Sequence, residues 1–194
     1  MPKTVAIIGA GPLGRWLALN AARAGFRVLL EDVMPANLHH VEEALRAEPG
    51  LDAPPNVALV SSIEDAVREA DLAIDCVPDE LESKLEIFCL LDRMAPPRTV
   101  LATPTTRLSI ADLATCTYRP EKCVAILAQA SQLAGNAGAA IVIQTTARTS
   151  AETVALVEGF WRRLGFDPAF EIDPAEQSGE PAAKTAMLRF PDLS

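Results

Sequence analysis

Three observations predict a doubly wound α/β fold built on a mostly parallel sheet. Short apolar runs alternate with amphipathic helical segments through the first half of the chain. The first run, Val5–Ile8, ends in Gly9-Ala10-Gly11-Pro12-Leu13-Gly14, and a helical pattern from Arg15 to Ala24 begins at once. A second run, Phe26 to Leu30, closes on Glu31 and Asp32. Strand, G-x-G-x-x-G, helix, strand and acidic residue, in that order, describe a dinucleotide-binding unit of the Rossmann type.

The elements follow in order. Strand one is Val5–Ile8, and strand two is Arg27–Glu31. Pro35–Ala47 reads as a helix, and the breaker-rich Pro49 to Pro55 as a loop. Val57–Val60 is a short third strand, followed by a short helix over Ser62–Glu69 capped by Ser61 or Ser62. Leu72–Asp75 is strand four. Asp79–Met94 is an amphipathic helix with Leu81, Leu85, Phe88 and Leu91 along one side. Thr99–Ala102 is strand five, and Ile110–Thr115 a short helix. The pattern then changes: Cys123–Leu127 and Ala140–Gln144 read as strands, Ala151–Leu164 as an amphipathic helix and Phe170–Ile172 as a last strand. Pro174 to Pro181 reads as a loop before a short tail. The expected organisation is one domain over residues 1–173, with loop and tail over 174–194.

The glycine loop carries the chemistry. Gly9 lets the strand turn, Gly11 lets backbone approach a pyrophosphate, and Gly14 lets the helix pack on the strand. The helix N-terminus adds unpaired N–H groups and about half a positive charge. Pro12 is tolerated because the first helical position has no partner for an N–H. Gly9, Gly11, Pro12, Leu13 and Gly14 are therefore candidate cofactor-binding residues. Asp32 is the candidate for the adenosine ribose hydroxyls, selecting NAD over NADP, with Glu31 one residue away as its alternative. A turn or cap before the next helix is the bland role for Asp32. Trp16, one turn into the helix, is expected to pack on the sheet or a neighbour.

The 194 residues suffice for one solid core, and nearly half of them are apolar. A net charge of −9 argues against a general nucleic-acid or anionic-membrane partner. Met1-Pro2-Lys3-Thr4 runs straight into the first strand without a signal peptide, and no apolar stretch approaches membrane-spanning length. Cys76, Cys89, Cys116 and Cys123 lack C-x-x-C spacing and read as buried free thiols, which implies a cytoplasmic address. His39 and His40 are adjacent in a helix and point in different directions, so neither a metal pair nor a dyad forms from them alone. No metal site is expected.

These motifs resemble the NAD-binding domain of the 3-hydroxyacyl-CoA dehydrogenase family, over roughly residues 3 to 172. The likeness extends past the glycine loop. It takes in Ser62-Ile63-Glu64-Asp65-Ala66, Ala70-Asp71-Leu72-Ala73-Ile74-Asp75 and Val77-Pro78-Asp79-Glu80-Leu81-Glu82-Ser83-Lys84. It continues through Arg93-Met94-Ala95-Pro96-Pro97, Leu108-Ser109-Ile110-Ala111-Asp112-Leu113 and Arg119-Pro120-Glu121-Lys122. The resemblance implies that Val77, Asp79 and Lys84 lie near the nicotinamide ribose. Without it, Asp79 is a helix-start acid and Lys84 a solvated lysine. Thr103-Pro104-Thr105-Thr106 stands where the family has Ser-Asn-Thr-Ser; Thr103 and Thr106 keep ligand-binding hydroxyls, while Pro104 offers no donor.

The family's chemistry rests on a histidine that exchanges the substrate hydroxyl proton and a glutamate that orients it. In register, those positions are Leu127 and near Ala139, and no histidine follows His40. The Phe-Asn-Pro pattern beside the histidine is replaced by Ala128-Gln129-Ala130-Ser131. A positioned base is worth about 10²–10⁴ in rate, so efficient 3-hydroxyacyl-CoA dehydrogenase activity is not expected. The stretch from Val33 to Ser62 is too short for the family's helical arm, and nothing past Ile172 matches its Pro-Gly-Phe motif or its helical substrate domain.

Two functions follow from these readings. One is an NAD-dependent oxidoreductase of divergent substrate and mechanism. It would use Thr103, Thr106, Gln129, Ser131 and Gln132, with Lys84, a threonine assisted by water, or a partner subunit supplying the acid–base group. The other is a non-catalytic NAD-binding sensor or subunit. In a third reading the fold persists with a dead cofactor site. Either of the first two expects a homodimer or partner subunit. The candidate sticky elements are Ala151–Leu164, with Phe160 and Trp161, and the tail from Met187 to Phe190; the alternative is that they pack on the sheet.

Overall fold

The computed structural model describes residues 2–47, 56–128 and 140–177. Among them, eight strands form one sheet in the order β3-β2-β1-β4-β5-β6-β7-β8. The strands are β1 (Thr4–Ile8), β2 (Arg27–Glu31), β3 (Val57–Val60), β4 (Leu72–Asp75), β5 (Val100–Pro104), β6 (Cys123–Leu127), β7 (Ala140–Thr145) and β8 (Asp167–Ile172). The first six are mutually parallel, β7 runs antiparallel to β6, and β8 is parallel to β7. The expected doubly wound, mostly parallel architecture is the one observed. The reversal of strand order between β1 and β4 opens the crevice in which such sheets bind ligands.

Helices cover both faces. On one, α1 (Pro12–Arg23), α2 (Pro35–Ala47) and α6 (Ala151–Arg163) meet the side chains of Val5, Ile7, Val28 and Leu30. On the other, α3 (Ile63–Val67), α4 (Leu81–Met94) and α5 (Ile110–Ala114) pack over Ala6, Ile8, Ala73 and Leu101. Continuous burial along β1, β4 and β5 is what a strand covered on both faces requires. Ser62, Ser109 and Ser150 cap α3, α5 and α6 by accepting N–H bonds from Asp65, Asp112 and Thr153.

Several boundaries move. Helix α4 starts at Leu81 rather than Asp79, because the Asp79 carboxylate is held by Thr105 and Thr106 across the loop. Its buried residues are Lys84, Phe88, Leu91 and Asp92, whereas Leu81 is exposed and Leu85 half-buried. The final strand is longer than expected: Asp167-Pro168 reads locally as a turn, but an edge strand tolerates proline. Residues Pro174–Gln177 form a one-turn helix, α7, in place of loop. Asp173 holds it by accepting the Ala175 N–H at 3.0 Å, and clamps the start of α5 through Ser109 Oγ (2.7 Å) and the Ala111 N–H (3.1 Å).

Phe160 and Trp161 are core residues, which removes them as a sticky surface. Phe160 meets Phe26 at 5.2 Å between centroids, and Trp161 meets Phe166 edge-on at 5.6 Å. Trp16 also packs on Phe166, at 5.8 Å. The tail from Met187 to Phe190 lies outside the described residues. All four cysteines are free, but only Cys123 is fully buried by residue exposure. Burial raises the Cys116 thiol to about 12 and that of Cys123 to about 11. His39 and His40 are exposed on α2, beside Glu42 and Glu43. Among the described residues, no helix is long and apolar enough to cross a membrane.

Candidate functional site

The β1–α1 turn is built by its glycines. Gly9 has φ +101°, and its N–H bonds the Glu31 carbonyl at 2.8 Å. A Cβ at Gly14 would stand 1.8 Å from the Gly9 carbonyl oxygen, so only glycine allows this helix–strand approach. Gly11 differs: a Cβ there would meet nothing within 4 Å. Gly11 is the N-cap of α1, no side chain caps it, and Pro12 takes the first helical position. The helix N-terminus therefore faces open space, as an anionic phosphate group requires.

At the end of β2, Asp32 is buried beside this turn. Its Oδ2 accepts the Ala10 N–H at 2.7 Å and Asn37 Nδ2 at 3.0 Å, and Oδ1 accepts the Met34 N–H at 2.7 Å. The carboxylate thus ties the glycine loop to the start of α2. Burial, reinforced by the neighbouring Asp32 charge, pushes the Glu31 carboxyl up. Both acids line a cavity of about 730 Å³ that runs from Gly9, Gly11 and Pro12 to an apolar wall of Ile63, Ile87 and Leu90.

A second cavity, of about 470 Å³, lies on the other side of Cys76 and Val77, which line both. Leu13, Asp79, Thr105, Thr106 and Arg107 line it with Pro104 and Ala128. Asp79 Oδ1 accepts Thr105 Oγ1 at 2.6 Å, while Oδ2 accepts the Thr106 N–H at 3.0 Å and its hydroxyl at 3.3 Å. Partial burial raises the Asp79 carboxyl, but these bonds and the Lys84 charge outweigh it and leave it below its ordinary value.

Lys84 lines neither cavity. Its Nζ is buried between Asp75 Oδ2 (3.2 Å), the Val77 carbonyl (3.3 Å) and Thr103 Oγ1 (2.9 Å). Thr103 in turn donates to Asp75 at 3.1 Å. Burial raises the Asp75 carboxyl, against the pull of Lys84, the Val77 N–H and the Thr103 hydroxyl. The solvated alternative for Lys84 is thereby excluded: the side chain forms a buried ion pair behind the loop that the resemblance places near the nicotinamide ribose.

The structure thus brings Gly9, Gly11, Pro12, Leu13, Asp32, Val77 and Asp79 to the two cavities, and sets Gly14, Lys84 and Thr103 behind them. Thr105, Arg107, Asn37 and Asp75 were not singled out from sequence. Asp75, an acid ending an apolar strand, carried the clearest signal. Leu127 ends β6 opposite Val142, half-buried. Gln129, Ser131, Gln132 and Ala139 lie outside the described residues.

The family model for the NAD-binding domain of 3-hydroxyacyl-CoA dehydrogenase matches residues 4–169. The chain belongs to this family. A probable 3-hydroxybutyryl-CoA dehydrogenase of Bacillus subtilis is 32% identical over 134 residues, 63% of this chain and 47% of that protein. The 5-formyl-3-hydroxy-2-methylpyridine 4-carboxylate 5-dehydrogenase of Mesorhizobium japonicum is 29% identical over 87% of this chain and 57% of its own. A crystal structure of an NAD+-dependent enzyme of that same activity superposes with a TM-score of 0.76 at 29% identity, covering 89% of this chain and 59% of its own. The 3-hydroxybutyryl-CoA dehydrogenase of Escherichia coli K12 gives 0.78 at 25% identity, covering 89% and 39%. This NAD-binding domain of the 3-hydroxyacyl-CoA dehydrogenase family therefore spans about half the length of the curated relatives quoted, 47% and 57%. Its relatives are oxidoreductases of diverse substrate.

The residues present fit the cofactor. Open space at Gly11 admits a pyrophosphate, Asp32 and Glu31 supply the acidic end, and the Ile63, Ile87 and Leu90 wall suits an adenine. NAD bound there supplies a hydride acceptor at its nicotinamide ring.

Proposed function

We propose that this domain is the cofactor half of an NAD-dependent oxidoreductase whose substrate and acid–base group differ from those of acyl-CoA dehydrogenation. The observation that carries the reading is the meeting of the two cavities at Cys76 and Val77, one beside the glycine loop and one beside Asp79. On this reading Gly9, Gly11, Pro12, Leu13 and Gly14 shape the pyrophosphate site, Asp32 accepts from the adenosine ribose and Asp79 faces the nicotinamide ribose. Val77 separates the two halves. Lys84 and Thr103 position the Val77 loop from behind. The domain comprises residues 1–173. Four free thiols support a reducing, cytoplasmic setting. Exposed Met94, Tyr118 and Ile172 support self-association, which light scattering at high concentration tests; a strict monomer removes it.

Calorimetric titration with NADH and NADPH tests the cofactor site. NADH should bind more tightly than NADPH, and Asp32→Ala should relax that preference. Binding of neither would make the glycine turn purely structural.

A second reading, a non-catalytic NAD sensor, is favoured by Leu127 at the family's histidine position and by the absence of any histidine after His40. A panel of carbonyl and hydroxy compounds decides between them. Oxidation or reduction of the cofactor by any of these establishes the enzyme; binding without turnover across the panel favours the sensor.

A further inference from the structure

The smaller cavity contains a cation without a carboxylate partner. Arg27, Arg68, Arg98, Arg119 and Arg162 each pair with an acidic side chain. Arg107 makes no such pair among the described residues. Its Nη2 donates to the main-chain carbonyl of Asp79 at 2.9 Å. The adjacent Asp79 carboxylate is engaged elsewhere, since both its oxygens take bonds from Thr105 and Thr106. One edge of the guanidinium is thereby anchored, and its remaining N–H donors are left for another acceptor. A guanidinium presents five donors in a fixed fork that matches a carboxylate bidentately.

Among the described residues, Arg107 and Asp79 are the charged ones lining this cavity. Its volume, about 470 Å³, lies in the range of small-molecule sites. We propose that the Arg107 side of this cavity, next to the nicotinamide ribose at Asp79, takes a small hydroxy- or oxo-acid whose carboxylate is clamped by Arg107, so that the substrate carries its own anion. This rests on the cofactor reading above, because Asp79 and Arg107 share the cavity. An anionic group could also come from the phosphates of a coenzyme tail. The small volume, and the bond that seats Arg107 against the Asp79 carbonyl, favour a carboxylate on the reacting molecule itself.

The test uses the full chain saturated with NADH, whose binding is measured first. Oxamate and 3-hydroxybutyrate are titrated as carboxylate probes and acetoacetyl-CoA as the phosphate-bearing one, read by calorimetry and by NADH fluorescence. At least one carboxylate should bind, and Arg107→Gln should weaken it about 10- to 100-fold, the loss expected for a charge-assisted hydrogen bond. NADH affinity should stay within about twofold, since the Arg107 side chain is exposed and outside the proposed cofactor contacts. Arg107→Lys should fall between the two. Equal carboxylate affinity in Arg107→Gln overturns the proposal, and so does a wild-type protein that binds NADH but neither acid. Loss confined to acetoacetyl-CoA also overturns it, and assigns Arg107 to a coenzyme phosphate. If NADH itself fails to bind, the cofactor reading has failed first and this proposal falls with it.

Discussion

Two buried aspartates close two strands of one sheet, and they serve opposite ends. Asp32 follows β2, is tied by backbone N–H groups and Asn37, and lines the larger cavity. Asp75 ends β4, has no exposed surface, and is satisfied by Lys84, Thr103 and the Val77 N–H. The residue type, the edge of the sheet and the burial are nearly the same. The difference lies in the partners: Asp32 meets neutral donors, which on the proposed reading leaves its charge to the cofactor ribose, whereas a lysine meets Asp75.

The largest effect expected from this contrast is at Lys84. Lys84→Met leaves Asp75 buried and unpaired, which should cost about 3–5 kcal/mol in chemical denaturation, and adding Asp75→Asn should recover more than half of that. If Lys84→Met instead lowers NADH affinity at unchanged stability, Lys84 is a ligand contact and the comparison breaks. At the other aspartate, Asp32→Ala strands the Ala10 and Met34 N–H groups and should cost about 1–3 kcal/mol, with the larger consequence in cofactor preference. A loss in stability equal to that of Lys84→Met would mean that Asp32 is a frame residue too.

The smallest effect sharpens the contrast through pH. The Asp79 carboxyl is held below its ordinary value, so its hydrogen bonds stabilise the fold above the unfolded pKa of about 3.9 and are lost as pH falls through the lower folded value. The advantage of the wild type over Asp79→Asn at neutral pH should therefore shrink in acid denaturation curves below about pH 4. A constant gap across that range would show that the Thr105 and Thr106 bonds do not depend on the charge.

Much of this was legible because it is local. The glycine spacing, the apolar runs of β1, β2 and β4 and the Ser62 cap each depend on residues close in sequence and are legible there, whereas the Ser109 and Ser150 caps emerge only from the structure. Of the two roles open to Lys84, near the nicotinamide ribose by resemblance or solvated on its helix, the second fails because the side chain is buried. The corrective signal is its spacing from Phe88 and Leu91, which sets all three on the buried stripe. Thr103, Thr105 and Arg107 could not be sorted by sequence, since whether a hydroxyl faces Asp75 or Asp79 is decided by how β5 lies between two loops. Arg119 stood in the family match with no role readable from sequence. Its guanidinium bonds the Asp92 carboxylate and the carbonyls of Asp92, Ala95 and Pro96, holding the end of α4.

The second and third glycines of the loop also differ in what they can testify to. Gly14 is demanded by the Gly9 carbonyl 1.8 Å from its missing methyl, so selection for folding alone would preserve it. Gly11, with nothing near it and an ordinary negative φ of −65°, is indifferent to the fold. On the proposed cofactor reading, then, a library of variants would keep the record of the architecture at position 14 and the record of the ligand at position 11. A descendant that had given up its nucleotide would still carry glycine at 14, and would betray the loss first at 11.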